Sequence, residues 1–147
     1  MADNKVQSFE NHAQIVPMFH YVTLGILQLT FIGACVNLYL SWGDHNRFYS
    51  ASLLVTLTFG TMLTALFART FALRAQDRAI RAEEQLRHYV MTGKLLDPRL
   101  TMQQIIALRF ASNEEFLALA QRAADQNMAA KDIKQAVKSW RADTNRV

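Results

Sequence analysis

The feature that most constrains this chain is the way its charge is distributed. From Asn11 to Gly43 there is no Asp, Glu, Lys or Arg, and the same holds from Phe48 to Ala68. From Arg69 onward, charged residues recur every few positions. The net charge of +4 and the 51% hydrophobic content average over this division and conceal it. A run of about 20 apolar residues crosses the ~30 Å hydrocarbon core of a bilayer. Two such runs would overfill the core of a 147-residue soluble protein. The expected fold is therefore all-α. It is a transmembrane helical hairpin whose second span continues as a long cytoplasmic helix, followed by about three short helices.

The predicted order along the chain has five parts. Residues 1–17 form a polar N-terminal segment at the cytoplasmic face, and 18–42 the first span. Residues 43–48 form a periplasmic turn, and 49–92 the second span with its extension. Residues 93–147 form a cytoplasmic helical domain. Pro17 suits a first helical turn, where its missing N–H is no loss. Tyr39 and Trp42 sit where amphipathic rings favour the headgroup level. Gly43-Asp44-His45-Asn46-Arg47 is rich in turn formers and short enough to make the spans antiparallel neighbours. Five arginines between Arg69 and Arg87 follow the second span, against Arg47 alone in the turn. The positive-inside rule then places both termini in the cytoplasm. A cleavable leader is not expected, since acids lie in MADNKVQSFENHAQ and no basic region directly precedes the apolar run.

Two packing patterns overlap on the long helix. Ala65, Ala68, Ala72, Ala75, Ala79, Ala82, Leu86 and Tyr89 alternate in steps of three and four, a heptad seam made mostly of alanine. Ser52, Thr56, Gly60, Thr64 and Ala68 recur every four residues, and all are small. The first span offers Gly25, Gly33, Asn37 and Ser41 as a matching strip, with Asn37 seeking a hydroxyl or carbonyl across the hairpin. Asp77 with Arg81, and Glu83 with Arg87, are spaced for ion pairs one turn apart.

Beyond Thr92, Gly93 is a helix stop and Asp97-Pro98 a turn. Thr101 with Gln104 and Ser112 with Glu115 resemble capping boxes opening two short helices. A third helix is expected over residues 129–143, with Ile133, Ala136, Val137 and Trp140 on one apolar face. Arg69 and Arg74, together with Lys131, Lys134 and Lys138, are candidate contacts for lipid headgroups; on the last helix the competing reading is a solvated face.

Motifs for phosphate binding, zinc hydrolysis or nucleophilic catalysis are not found. Cys35 is the sole cysteine, so neither an intramolecular disulfide nor a cysteine metal cluster can form. The four histidines have no ligand spacing; His20 reads as an interfacial side chain and His88 as solvated or carboxylate-paired. The expectation is a chain without catalytic residue, cofactor, metal or nucleic-acid partner. Membrane lipid and further copies of itself, or subunits of a membrane complex, are the expected partners.

Four stretches carry a family resemblance: NHAQIVPMFHYV, LTALFARTFALRAQDRAIRAEEQLRHYVMTGKLL, IIALRFASNEEFLALAQRA and KDIKQAVKSWRAD. With them the chain resembles an uncharacterised bacterial family of small two-span membrane proteins. The resemblance implies an inner-membrane hairpin with a cytoplasmic helical tail, and it carries over no activity. The functional expectation is a structural or interaction module that self-assembles through small-residue helix packing. The alternatives are an accessory subunit of a transport or respiratory complex and, further off, an oligomeric channel.

Overall fold

The computed structural model describes residues 8, 9 and 15–143. Most of the expected N-terminal segment lies outside the described residues. Among those described, the fold is all-helical without a strand. A π-helical turn, Met18–Thr23, runs directly into α1, Leu24–Leu40. It is followed by α2, His45–Thr92, α3, Met102–Leu108, α4, Asn113–Asp125, and α5, Ala130–Ala136. Two compact units result, one spanning Ile15–Ala72 and the other comprising the residues from Leu73 onward together with the N-terminal stretch that includes Ser8 and Phe9.

In the first unit, Thr23 Oγ1 donates to the Met18 carbonyl five residues back, at 3.0 Å. That bond matches the wider π turn. At the other end, Gly43 takes φ +97°, open to glycine at little cost, and Asp44 then caps α2 by accepting the Arg47 N–H at 3.1 Å. This cap starts α2 at His45, earlier than the expected 49, and the turn shrinks accordingly. The π turn with α1, and α2 itself, are each long and apolar enough to cross a membrane by length and composition.

The face joining the two helices differs from the expected one. Leu27, Phe31, Ala34 and Leu38 of α1, with Ser41 at its C-cap, are half-buried or buried on one face, and Gly25 is half-buried as well; those of α2 include Ala51, Val55, Thr58, Met62 and Ala65. Both sets step by four and three, which is the pattern of shallow, left-handed packing. Ala51 is fully buried, and the rings of Phe31 and Phe59 approach to 6.1 Å. Gly33, Asn37, Thr56, Gly60 and Thr64 are exposed and Ser52 only half-buried, so the four-residue ladder does not close the hairpin. A Cβ added at Gly25, Gly33 or Gly60 would meet nothing within 4 Å. The threonines bond within their own helix: Thr56 Oγ1 donates to the Ser52 carbonyl at 2.9 Å and Thr64 Oγ1 to Gly60 at 2.9 Å. A hydroxyl satisfied four residues back needs no partner across the hairpin.

The second unit has a conventional core. Phe116, Ile105, Leu108 and Ile133 are almost completely buried, and Leu96, Leu100, Leu119, Ala123 and Val137 join them. The Thr101–Gln104 capping box forms. Gln104 goes further, since its buried amide also donates to the Met128 carbonyl at 2.9 Å. Helix α4 ends with Asn127 at φ +46° and the Met128 N–H returning to the Ala123 carbonyl at 3.1 Å, a left-handed stop made by asparagine.

Two expectations fail here for one reason. The last helix ends at Ala136, because Val137 turns extended, with ψ 119°. The chain then runs antiparallel beside Ala111 through Trp140. The Arg141 N–H donates to the Phe110 carbonyl at 2.7 Å, and Ser112 N–H to Ser139 at 3.1 Å. Glu115 consequently does not complete a box with Ser112. Its carboxylate accepts the N–H groups of Lys138 and Ser139, at 3.1 and 3.0 Å. Trp140 reaches Phe110 from this extended segment, with ring centroids 4.9 Å apart, and not from a helix face.

Phe116→Ala would leave a void at the centre of this core. The expected cost is about 3–5 kcal/mol, read as a lowered denaturant midpoint of the second unit. Leu95→Ala, at an exposed position, should leave the midpoint within about 0.5 kcal/mol.

Candidate functional site

The part of α2 beyond Leu73 presents two different faces. On one, Ile80 and Glu84 are buried and His88 is half-buried. The α3–α5 elements hold this face mainly through polar contacts. Arg87 is their hub. Its guanidinium donates to Glu84 Oε2 at 3.0 Å, to the Ala111 carbonyl at 2.8 Å and to Asn113 Oδ1 at 2.9 Å. Its Cζ also lies 4.1 Å from the centroid of Phe116. The pair is sequestered, with side chains 10% and 4% exposed. Arg141 adds a longer contact to Glu84, at 3.7 Å. A charge taken this far out of water is tolerable only when it is paired and hydrogen-bonded, and Arg87 has three acceptors and a ring around it.

The expected spacing of Glu83 with Arg87 is thereby overridden. Arg87 turns to Glu84, three residues back, because Glu84 faces the docked helices. Glu83 is exposed, and neither it nor the pair Asp77 and Arg81 makes an ion pair among the described residues. Further along, Gln85 Oε1 accepts the Leu96 N–H at 3.0 Å. His88 Nδ1 lies 2.7 Å from the Lys94 carbonyl, and its ring meets Phe116 edge-on. His88 is therefore engaged with backbone while still half-exposed, and it is not paired to a carboxylate among the described residues. His20 Nδ1 stays within its own turn, 3.1 Å from the Val16 N and 2.9 Å from its carbonyl oxygen.

A cleft of about 400 Å³ lies beside the hub, lined by Gln76, Glu83, Glu84, Arg109, Arg141 and Asp143 among others. Its charges largely answer one another: Arg109 meets Asp143 at 3.2 Å, and Arg141 meets Glu84. Glu83 is a further carboxylate of the lining, outside these two contacts. Among the described residues no group of His, Cys, Asp and Glu is arranged to hold a metal ion.

The opposite face of α2 is open. Ala75, Ala79, Ala82, Leu86 and Tyr89 of the alanine seam are exposed, Leu86 and Tyr89 at 63% and 53%. Within the first unit the seam behaves differently: Ala65 belongs to the half-buried hairpin face, Ala72 is half-buried and Ala68 exposed. The basic residues do not form one stripe. Lys131 and Lys134 lie on α5, but Lys138 lies beyond its end. Lys134 Nζ is 5.8 Å from the Phe110 centroid, Arg69 lies 5.9 Å from the Phe19 ring, and Arg74 is exposed.

The loop after α2 is pinned by charge. Arg99 donates to both oxygens of Asp97 and reaches Asp125 Oδ1 at 2.8 Å. The Arg99 guanidinium, helped by its own N–H at 2.9 Å, holds the Asp97 carboxyl down at about 2, against an ordinary 3.8. Asp125 is lowered too, first by Gln121 and then by Arg99. A depressed carboxylate stabilises the folded form above its unfolded pKa and ceases to do so as pH falls through the folded one.

Two outcomes follow from this geometry. A carboxyl NMR titration should find Asp97 near 2, and Arg99→Gln should return it toward 3.8. The clasp's contribution should thus be complete above about pH 4 and lost on descent through pH 2. Arg87→Ala should destabilise the second unit by about 3–5 kcal/mol, because it strands the buried Glu84 carboxylate. Thermal unfolding of the variant would check it, and a midpoint unchanged from the parent would refute it.

No curated protein and no solved structure matches the chain. A protein-family pattern does match it along its entire length, residues 1–147, and the chain thus belongs to DUF6526, a family of unknown function.

Proposed function

We propose that this chain is a non-enzymatic integral membrane protein that acts as a structural or interaction module and assembles with copies of itself. One observation carries the reading. Only 6% of the first apolar stretch and 11% of the second are buried within the chain, whereas α3–α5 enclose an apolar core of their own. A core helix of a soluble protein would bury its apolar residues; helices this apolar and this exposed call for lipid or for other helices. Their hydroxyls agree, since Thr30, Thr56, Thr58, Thr61 and Thr64 each donate to a carbonyl four residues back. In hydrocarbon every such group must be satisfied locally.

The arginines after Ala68 set the orientation, with both termini cytoplasmic by the positive-inside rule. Together with the sequence resemblance, this favours a bacterial inner membrane. Self-association is supported by the exposed Asn37 amide near the end of the first span, beside Gly33 one turn away. A polar amide on a lipid-facing surface gains from a partner helix, and a small residue next to it allows close approach.

The protein should stay with membranes after an alkaline wash. In mild detergent its mass should be an integer multiple, two or more, of the 16.8 kDa chain. Protease outside intact cells should leave the C-terminal part uncut. Release by the alkaline wash would refute membrane integration, and a single-chain mass would refute self-assembly. Stoichiometric co-purifying polypeptides would favour the alternative reading, an accessory subunit of a larger transport or respiratory complex.

A further inference from the structure

We infer that the exposed face of α2 beyond Leu73 is a parallel dimer seam that takes the same face of a second copy, in a register set by Arg78 and Glu83. The inference rests on the self-assembly proposed above and specifies where and how it occurs. Ala75, Ala79, Ala82, Leu86 and Tyr89 step by four, three, four and three, the d and a positions of successive heptads. At 3.6 residues per turn they fall on the side of the helix opposite Ile80, Glu84 and His88. Those three face the docked helices; the tail borders the seam only at the cleft that Ala79 and Glu83 line with Arg109, Arg141 and Asp143, and it leaves the seam residues exposed. Val90, on its flank, is 76% exposed.

The flanking positions identify the partner. Arg78 and Gln85 occupy g; Gln76, Glu83 and Val90 occupy e. Arg78 and Glu83 are thus the charged flanks, of opposite sign and five residues apart. That is the spacing at which a g residue meets the following e residue of a parallel partner. Both are exposed, and neither makes an ion pair within the chain among the described residues. In a parallel pair each Arg78 meets the other copy's Glu83, giving two equivalent contacts about a twofold axis. An antiparallel pair would set e against e and g against g, so the opposite charges would not meet. Two copies inserted in one bilayer with the same orientation are already parallel. The alanines permit axes near the short end of the ~8–10 Å range, and Leu86 and Tyr89 supply the larger apolar contacts.

The test uses the full chain in its membrane, with Cys35→Ser removing the native thiol. Ala79→Cys and Ala82→Cys are introduced singly, with Arg81→Cys as an exposed control on another side of the helix. Mild oxidation should convert the seam variants to a homodimer of the 16.8 kDa chain. The control should yield about tenfold less, because only a and d positions face their own equivalents across a parallel seam. Arg78→Glu or Glu83→Arg alone should raise the dimer dissociation constant in detergent about fivefold, near the upper end for an exposed pair. The double exchange should restore it.

If the particle mass is a multiple of the chain but Ala79→Cys and Ala82→Cys form no dimer, this inference fails and self-assembly through another face stands. A single-chain mass removes both. Cross-linking of the seam variants to a different polypeptide overturns the inference, as does a double exchange as weak as the single reversals.

Discussion

The rest of the structure depends on one constraint: α2 changes its chemistry at Arg69 without interrupting its backbone. An α-helix satisfies its interior N–H and C=O groups within itself, whatever surrounds it. The same ladder can therefore serve an apolar stretch and a charged one. The 48 residues of α2 contain one glycine and no proline, and nothing breaks them until Gly93. That is more than twice what a bilayer crossing needs. The surplus becomes the platform on which α3, α4 and α5 assemble.

The way they assemble is economical in apolar area. The core of the second unit closes largely among Leu96, Leu100, Ile105, Leu108, Phe116 and Ile133. Its hold on α2 uses Ile80 together with the Glu84–Arg87 pair, the Phe116 ring, Gln85 and His88. Polar contacts of this kind demand direction as well as proximity. They fix which side of α2 is covered, and by subtraction they leave the alanine seam on the other side. The buried ion pair lies on the covered side of α2, opposite the alanine seam.

Much of the architecture was legible without coordinates. The charge-free runs announced two long helices, and Gly93 and the Thr101–Gln104 box marked boundaries that the structure keeps. The family resemblance read from four stretches is met by a match over the whole chain. These features are local: a helix end or an apolar run is written within a few consecutive residues. The mistakes were of another kind. The ladder of Ser52, Thr56, Gly60 and Thr64 has the right spacing for a packing strip, but any face of an apolar helix can show such a spacing. The hairpin closes on another face, where the buried Ala34, Ser41, Ala51 and Thr58 alternate with the half-buried Phe31, Leu38, Val55 and Met62. The pairing of Glu83 with Arg87 was a correct reading of helix geometry that lost to Glu84, whose side of the helix is the one that becomes buried.

The sequence by itself determined the succession of helices, their approximate ends and the contrast between an apolar front and a charged rear. Periodicity, caps and breakers act over one or two turns, and a chain carries that information in order. Only the tertiary structure decided which face of each helix is covered. It ended α5 at Ala136, so that residues 137–141 could lie along Phe110 and Ala111. It sent Glu115 to two N–H groups more than twenty residues away, and it gathered Glu84, Arg87, Asn113 and Phe116 into one hub. Those choices join residues distant in sequence, and they are settled by which buried polar groups can all be satisfied at once.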